Sequence, residues 1–160
     1  MSDWEQPTAG QRLKILRRAR TIAVVGASAN KARASNFVLT YLLSSSADYE
    51  VWPVTPNESE ILGVRAYPSL ADLPGEPDIV DAFRRADQLP TVAREAVAAG
   101  AKTFWMQLGL HSDEAVEIAS SAGLNVVSNR CVKIEHARFH GGLHLAGFDT
   151  GVISSRRARG

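Results

Sequence analysis

The sequence predicts an α/β protein: a Rossmann-like, doubly wound, five-stranded parallel sheet with helices on both faces. Three observations carry this. Short β-branched runs alternate along the chain with segments whose apolar residues recur at helical spacing, and such alternation joins parallel strands by right-handed helical crossovers. The first run, IAVV, is apolar throughout and stops at Gly26, as suits a strand buried on both faces. The scale agrees, because 160 residues that are 45% hydrophobic suit one domain with one core.

The elements follow in order. The first 20 residues read as one helix, about 8–19, opening at Thr8 and Gln11 as a capping box. Leu13, Leu16 and Arg20 share one face with Ile15 and Ala19 beside it, and Lys14, Arg17 and Arg18 read as a solvated outer side. TIAVV is the first strand. Ser35 is placed to cap the next helix, which carries Phe37, Val38, Tyr41 and Leu42. YEVWPVTPN is the second strand, and Pro53 assigns it to an edge or a strand end. The Pro/Gly-punctuated stretch that follows reads as a connection with one helical turn near residues 69–73. DIVDAF is the third strand, and LPTVAREAVAAG is a helix stopped by Gly100. KTFWMQLG is the fourth strand, Ser112 caps a helix ended by Gly123, LNVVSN is the fifth strand, and RCVKIEHARF is a short last helix. Trp52 and Trp105 fall in strands and read as core. The domain is expected to span 1–160, with a core over about 20–138 and an irregular extension over about 139–160.

Composition narrows the function classes. A net charge of +1, from 18 Lys+Arg against 17 Asp+Glu, gives no general pull toward nucleic acid or anionic membrane. One cysteine, Cys131, excludes an internal disulfide framework and a multi-cysteine zinc cluster. No apolar run approaches the ~18 residues that span a bilayer, and the N-terminus has no signal-peptide apolar region. A soluble, cytoplasmic, single-domain protein is expected, and a two-domain enzyme is not.

In doubly wound sheets ligands bind beyond the carboxyl ends of the strands, where strand order reverses. Those ends carry Gly26, Ala27, Ser28, Asn30 and Lys31, then Thr55 and Asn57, then Phe83, Arg84 and Arg85, then Gln107 and Gly109, then Asn129, Arg130 and Cys131. The set is small, polar and cationic, with Lys31, Arg84, Arg85 and Arg130 as its positive cluster. It suits an anion better than a metal ion, which wants carboxylates or imidazoles. Gly26 permits a tight turn toward a phosphate. The loop reads G-x-S-x-N, with Ser28 and Lys31 where a dinucleotide fingerprint has glycines, and no acid follows strand two to hold a ribose. NAD is thereby demoted. Of the adjacent pair Arg84 and Arg85, one is expected to grip phosphate and the other to be structural. Cys131, between Arg130 and Lys133 near a helix start, has a setting that favours thiolate, although a buried inert cysteine is preferred. His136, His140 and His144 are spaced for one helical face, but Gly141 and Gly142 interrupt it. Glu135 and His136 therefore read as a packing and hydrogen-bonding pair.

IAVVGAS, VWPVTPN, AYPSLADLP, DIVDAFRR, GAKTFWMQLG and SNRCVKIEH, in that order and spacing, resemble the stand-alone CoA-binding protein family. That family is similar to the N-terminal CoA-binding domain of the succinyl-CoA synthetase alpha subunit. The resemblance covers about residues 20–138. It implies that Gly26, Ala27, Ser28 and Asn30 lie on the phosphates of coenzyme A and Asn57 near the adenosine 3′-phosphate. It implies that Phe83, Arg84 and Arg85 line the nucleotide side, and that Gln107 and Gly109 border the pantetheine path. Asn129 and Cys131 match the synthetase's closing motif. The chain departs from the family in having Ala34, Ser35, Asn36 and Phe37 where many members carry a Pro-Ser-Tyr-like stretch. The synthetase's phosphohistidine sits in a second domain, and none of this chain's histidines matches it. The expectation is non-catalytic binding of CoA or an acyl-CoA. The rivals are an NAD(P)-dependent oxidoreductase on a degenerate loop and a regulatory protein that reads CoA status, with the C-terminal stretch meeting a partner or forming a homodimer. A weaker rival is a mixed disulfide between Cys131 and the CoA thiol.

Overall fold

A computed structural model describes residues 3–44 and 48–140. The chain runs through α1 (Ala9–Arg18), β1 (Thr21–Val25), α2 (Ala34–Ser44) and β2 (Glu50–Val54). A small hairpin follows, β3 (Glu60–Ile61) and β4 (Val64–Arg65). Then come β5 (Ile79–Ala82), α3 (Leu89–Ala98), β6 (Thr103–Met106), α4 (Asp113–Ser121), β7 (Asn125–Val127) and α5 (Val132–His140). The main sheet has the order β2-β1-β5-β6-β7 and every pairing in it is parallel. Strand order therefore reverses between β1 and β5, which places the ligand crevice at their carboxyl ends. No helix among the described residues is long and apolar enough to cross a membrane.

Alternation along the strands sends side chains to two cores. Ile22, Val24, Ile79, Trp105 and Val127 pack on one face against Leu16 of α1, Leu39 and Leu42 of α2, and Val132 of α5. Ala23, Val25, Val80, Phe104 and Met106 pack on the other against Leu89 and Ala93 of α3 and Ala115 and Ala119 of α4. Covering both faces is what requires the near-continuous apolar runs. Trp52 and Trp105 are both buried.

The caps act largely where the sequence puts them. Thr8 Oγ1 accepts from the Gln11 amide at 3.2 Å, and Gln11 Oε1 accepts from the Thr8 amide at 2.8 Å. Residues 3–7 are not helical. Trp4 Nε1 donates to the Val126 carbonyl at 3.0 Å, and Gln6 pairs with the Ser128 backbone, so this segment is spent on the edge of β7. Ser112 caps α4 through the Ala115 amide at 3.1 Å. Ser35 is not a cap. α2 begins one residue earlier, with the Arg33 carbonyl accepting from Asn36 and Phe37, and Ser35 is buried in the first turn. Pro53 lies on an edge strand, as its missing amide requires. The hairpin is an addition to the sequence reading: Leu62 and Gly63 both have positive φ, 53° and 79°, the backbone of a two-residue hairpin turn. The turn expected near residues 69–73 is a 3₁₀ turn at Leu70–Asp72. α5 reaches His140, so residues 139 and 140 are helical where an irregular extension is expected, and the rest of that expected extension, residues 141–160, lies outside the described residues.

Three polar features hold the layers in register. Arg12 on α1 is buried, with its guanidinium on the Glu135 carboxylate of α5 and a 2.7 Å bond to the Pro7 carbonyl. His136 Nδ1 shares a 2.7 Å hydrogen bond with Tyr41 Oη, so Glu135 and His136 each have a packing partner of their own. Burial alone would raise the Asp78 carboxyl, but the Arg20 and Thr21 amides at 2.7 and 3.3 Å and Lys102 Nζ at 3.3 Å hold it below its usual range.

Asp81 is different. It is fully buried in the middle of β5, beside Val24 and Trp105, and neither carboxyl oxygen has a hydrogen-bond partner. Burial pushes its pKa well above the ordinary carboxylate value. The native state thus keeps a proton that the unfolded chain releases near its pKa of about 3.9. The stability this proton supports is complete below that pH and is lost as pH rises through the folded value. Wild type should lose stability relative to Asp81→Asn by about 1.4 kcal/mol per pH unit across that window. Urea unfolding of both proteins from pH 4 upward checks this, and parallel pH profiles would contradict it.

Candidate functional site

The groove at the reversal point is built around one turn. Gly26 leaves β1 with φ +85°, and a Cβ there would lie 2.2 Å from the Phe83 carbonyl oxygen at the end of β5. Only glycine allows that approach. The amides of Gly26 and Ala27 are taken by the Val54 carbonyl at 3.0 and 3.3 Å, so the turn is fastened to β2 on one side and set against β5 on the other. Beyond it the loop folds on itself: Ser28 Oγ accepts from the Asn30 amide at 3.0 Å, and Asn30 Oδ1 accepts from the Ala32 amide at 2.9 Å. Asn36 Nδ2 ties α2 back to the Ser28 carbonyl at 2.9 Å. The first turn of α2 then opens on the groove at Ala34 and Ser35, where the leading amides of a helix have no intrahelical acceptor and the helix dipole is positive.

The groove has a volume of about 760 Å³. Gly26, Ala27, Ser28, Asn57, Phe83, Arg84, Arg85, Gln107 and Cys131 all line it. Asn30, Lys31, Gly109 and Asn129 do not. Asn30 closes the first loop, Lys31 is exposed away from the groove, and Asn129 Oδ1 accepts from the Gly109 amide at 2.6 Å. That last bond joins the loops after β6 and β7 and shapes the rim. The positive cluster also differs from the one the sequence suggests. Arg33 and Lys133 line the groove with Arg84 and Arg85, whereas Lys31 and Arg130 are absent from its walls. Arg130 turns aside, its Nη1 donating to the Asn129 carbonyl at 2.8 Å. Arg33 escaped the sequence reading, and Lys133 entered it only as a neighbour of Cys131, because each lies beyond the strand-end loop proper, at the start of a helix beside the crevice. Arg85 is exposed and ion-paired with Asp87 at 3.5 Å, while Arg84 is half-buried.

Cys131 is half-buried in the groove wall rather than buried in the core, because α5 starts just after it. Gln107 Oε1 accepts from the Val132 amide at 3.2 Å, which seats α5 on the end of β6. Among the described residues no carboxylate and no imidazole lines the groove. Among the described residues no group of His, Cys, Asp and Glu is arranged to hold a metal ion. His111 is engaged by Ser128 Oγ at 2.6 Å and Asp113 at 2.7 Å. His140 has no described side chain, and His144 lies outside the described residues. A second cavity of about 580 Å³ opens near the strand starts, but its charge is mixed: Lys14, Arg18 and Lys102 share it with Glu5 and Asp78, and Lys102 is already paired with Asp78. The groove at the reversal point is the one with uniform positive charge.

Comparison with known proteins bears on this groove. The family described as CoA binding domain matches residues 20–137. The uncharacterized protein YneT of Bacillus subtilis (strain 168) is 40% identical over 133 residues, covering 83% of this chain and 97% of YneT. A hypothetical protein from Pyrococcus horikoshii OT3 superposes with a TM-score of 0.80 at 37% identity, over 88% of this chain and 100% of that one. The acetate–CoA ligase [ADP-forming] I of Archaeoglobus fulgidus is 27% identical over 123 residues, which is 71% of this chain but only 18% of the ligase. The chain therefore corresponds to one small part of that enzyme.

The close approach at Gly26 makes a direct test. Gly26→Ala meets both the positive φ and the Phe83 carbonyl, and should destabilise by more than about 2 kcal/mol. Gly63→Ala has a similar φ of +79° with nothing within 4 Å, and should cost about 1 kcal/mol. Denaturant melts of both variants measure the difference, and equal losses would show that the contact with β5 does not constrain the loop.

Proposed function

The chain belongs to the CoA-binding domain family, and on that premise we propose that it binds coenzyme A or an acyl-CoA in the groove between β1 and β5, with no group transfer of its own. The observation that carries this reading is the wall chemistry: four cations, the turn at Gly26 and the first turn of α2 converge on one crevice that no carboxylate among the described residues lines. A diphosphate fits such a place, because helix N-terminal amides and guanidinium groups both donate charge-assisted hydrogen bonds to phosphate oxygens. Arg84 is the arginine assigned to the phosphates and Arg85, through Asp87, the structural one. Asn57 and Thr55, after β2, stand on the adenosine side, and Gln107 and Cys131 on the side where pantetheine would run.

The dinucleotide alternative is less well served. A nicotinamide dinucleotide wants an acidic residue on its ribose at the end of the second strand, and the groove there presents Thr55 and Asn57.

Coenzyme A should raise the melting temperature in a concentration-dependent way, by the equivalent of about 2.7 kcal/mol at a hundred times its Kd. Arg84→Ala and Lys133→Ala should each weaken binding roughly tenfold or more, the range for a lost charge-assisted bond. Lys14→Ala, in the other cavity, should leave it unchanged. NAD and NADP should shift the melt less than CoA. Acetyl-CoA incubated with the protein should keep its thioester, read by thiol release. Absence of any thermal shift with CoA would refute the reading.

A further inference from the structure

The large apolar side chains exposed among the described residues are not scattered. Phe37, Leu108 and Ile134 are 57%, 59% and 55% exposed, and all three line the same groove, leaving only Leu62 elsewhere. They come from three separate elements, α2, the loop after β6, and α5, so no local sequence pattern groups them. Half-buried Leu110 and buried Val38 extend the same wall. Isolated exposed apolar residues are ordinary, but a contiguous set around a cavity marks a surface that is covered when the protein works.

We propose that this patch holds the acyl chain of an aliphatic CoA thioester, so that the groove selects acylated over free coenzyme A. The inference rests on the CoA reading above. An acyl-CoA is a polyanion joined through a long neutral arm to an apolar chain, and the groove lining offers side chains of both kinds. Arg33, Arg84, Arg85 and Lys133 supply the charge. Leu108 directly follows Gln107, and Ile134 lies one turn along α5 from Cys131, so the apolar side chains adjoin the two residues on the pantetheine side. Among the described residues no carboxylate lines the groove to hold a polar acyl group such as an aminoacyl chain. That cations and exposed apolar side chains line a single crevice is what commits it to a ligand carrying both parts.

Titration calorimetry of the full chain with CoA and with acetyl-, butyryl-, hexanoyl- and octanoyl-CoA tests this. Affinity should rise about two- to fourfold per added methylene until the chain outgrows the patch. Leu108→Ser and Ile134→Ser should flatten that rise when each thioester is referred to the same variant's own affinity for free CoA. Binding of CoA with a flat acyl series would overturn the inference and leave the CoA reading standing. Failure of CoA and every thioester to bind would overturn the CoA reading itself, and this inference with it. Octanoate binding as tightly as octanoyl-CoA would show that the patch is not an extension of a CoA site. A dimer seen by light scattering that octanoyl-CoA does not dissociate, and that Leu108→Ser abolishes, would assign the patch to a second copy of the chain and overturn the inference too.

Discussion

Everything at the site hangs on how closely the chain leaving β1 passes the end of β5. With φ +85° and a virtual Cβ 2.2 Å from the Phe83 carbonyl oxygen, Gly26 lies flat against its neighbouring strand. The Phe83 amide donates to the Val25 carbonyl at 2.8 Å, and the Gly26 amide donates to Val54 at 3.0 Å. The turn is therefore held from both sides, by β5 and by β2. From that fixed point α2 rises over one face while the connection after β5 leaves toward the other, as a reversal of strand order demands. The crevice is the space the two departures leave between them.

A second layer of polar groups supports this arrangement from beneath. α5 brings Cys131, Lys133 and Ile134 to the groove, and it is anchored by Glu135 on Arg12 and by His136 on Tyr41. Tyr49 donates to the Leu16 carbonyl at 2.6 Å, and burial, with the neighbouring Tyr41, pushes its pKa up to about 12. It therefore stays a neutral donor. Asp81 lies in β5 two residues before Phe83, and burial pushes its pKa well above the ordinary carboxylate value.

The parallel sheet, its edge strand with Pro53, and the capping of α1 and α4 were legible because each has a local signal: apolar period, a missing amide, or a hydroxyl placed before a helix. The glycine turn and the arginines after β5 were legible because topology places strand ends together. Arg33 and Lys133 were not, since their approach depends on how two helices tilt back over the sheet, which no spacing records. Nothing in the sequence singled out Arg12, because only the packing of α1 on α5 gives it a buried carboxylate partner. The Leu62–Gly63 hairpin turn hid behind a leucine in a conformation leucine seldom adopts. Ser35 failed as a cap because Arg33 and Asn30 close the loop one residue sooner.

Amide chemical-shift mapping with coenzyme A tests the central claim most directly, because it locates the ligand without assuming which side chains hold it. Addition of CoA should move the amides of Gly26, Ala27, Ser28, Ser35, Arg84 and Cys131, around the crevice between β1 and β5. Those of Lys14, Lys102 and Asn125, around the cavity near the strand starts, should stay in place. Shifts confined to that second set, or no shifts at all, would contradict the account.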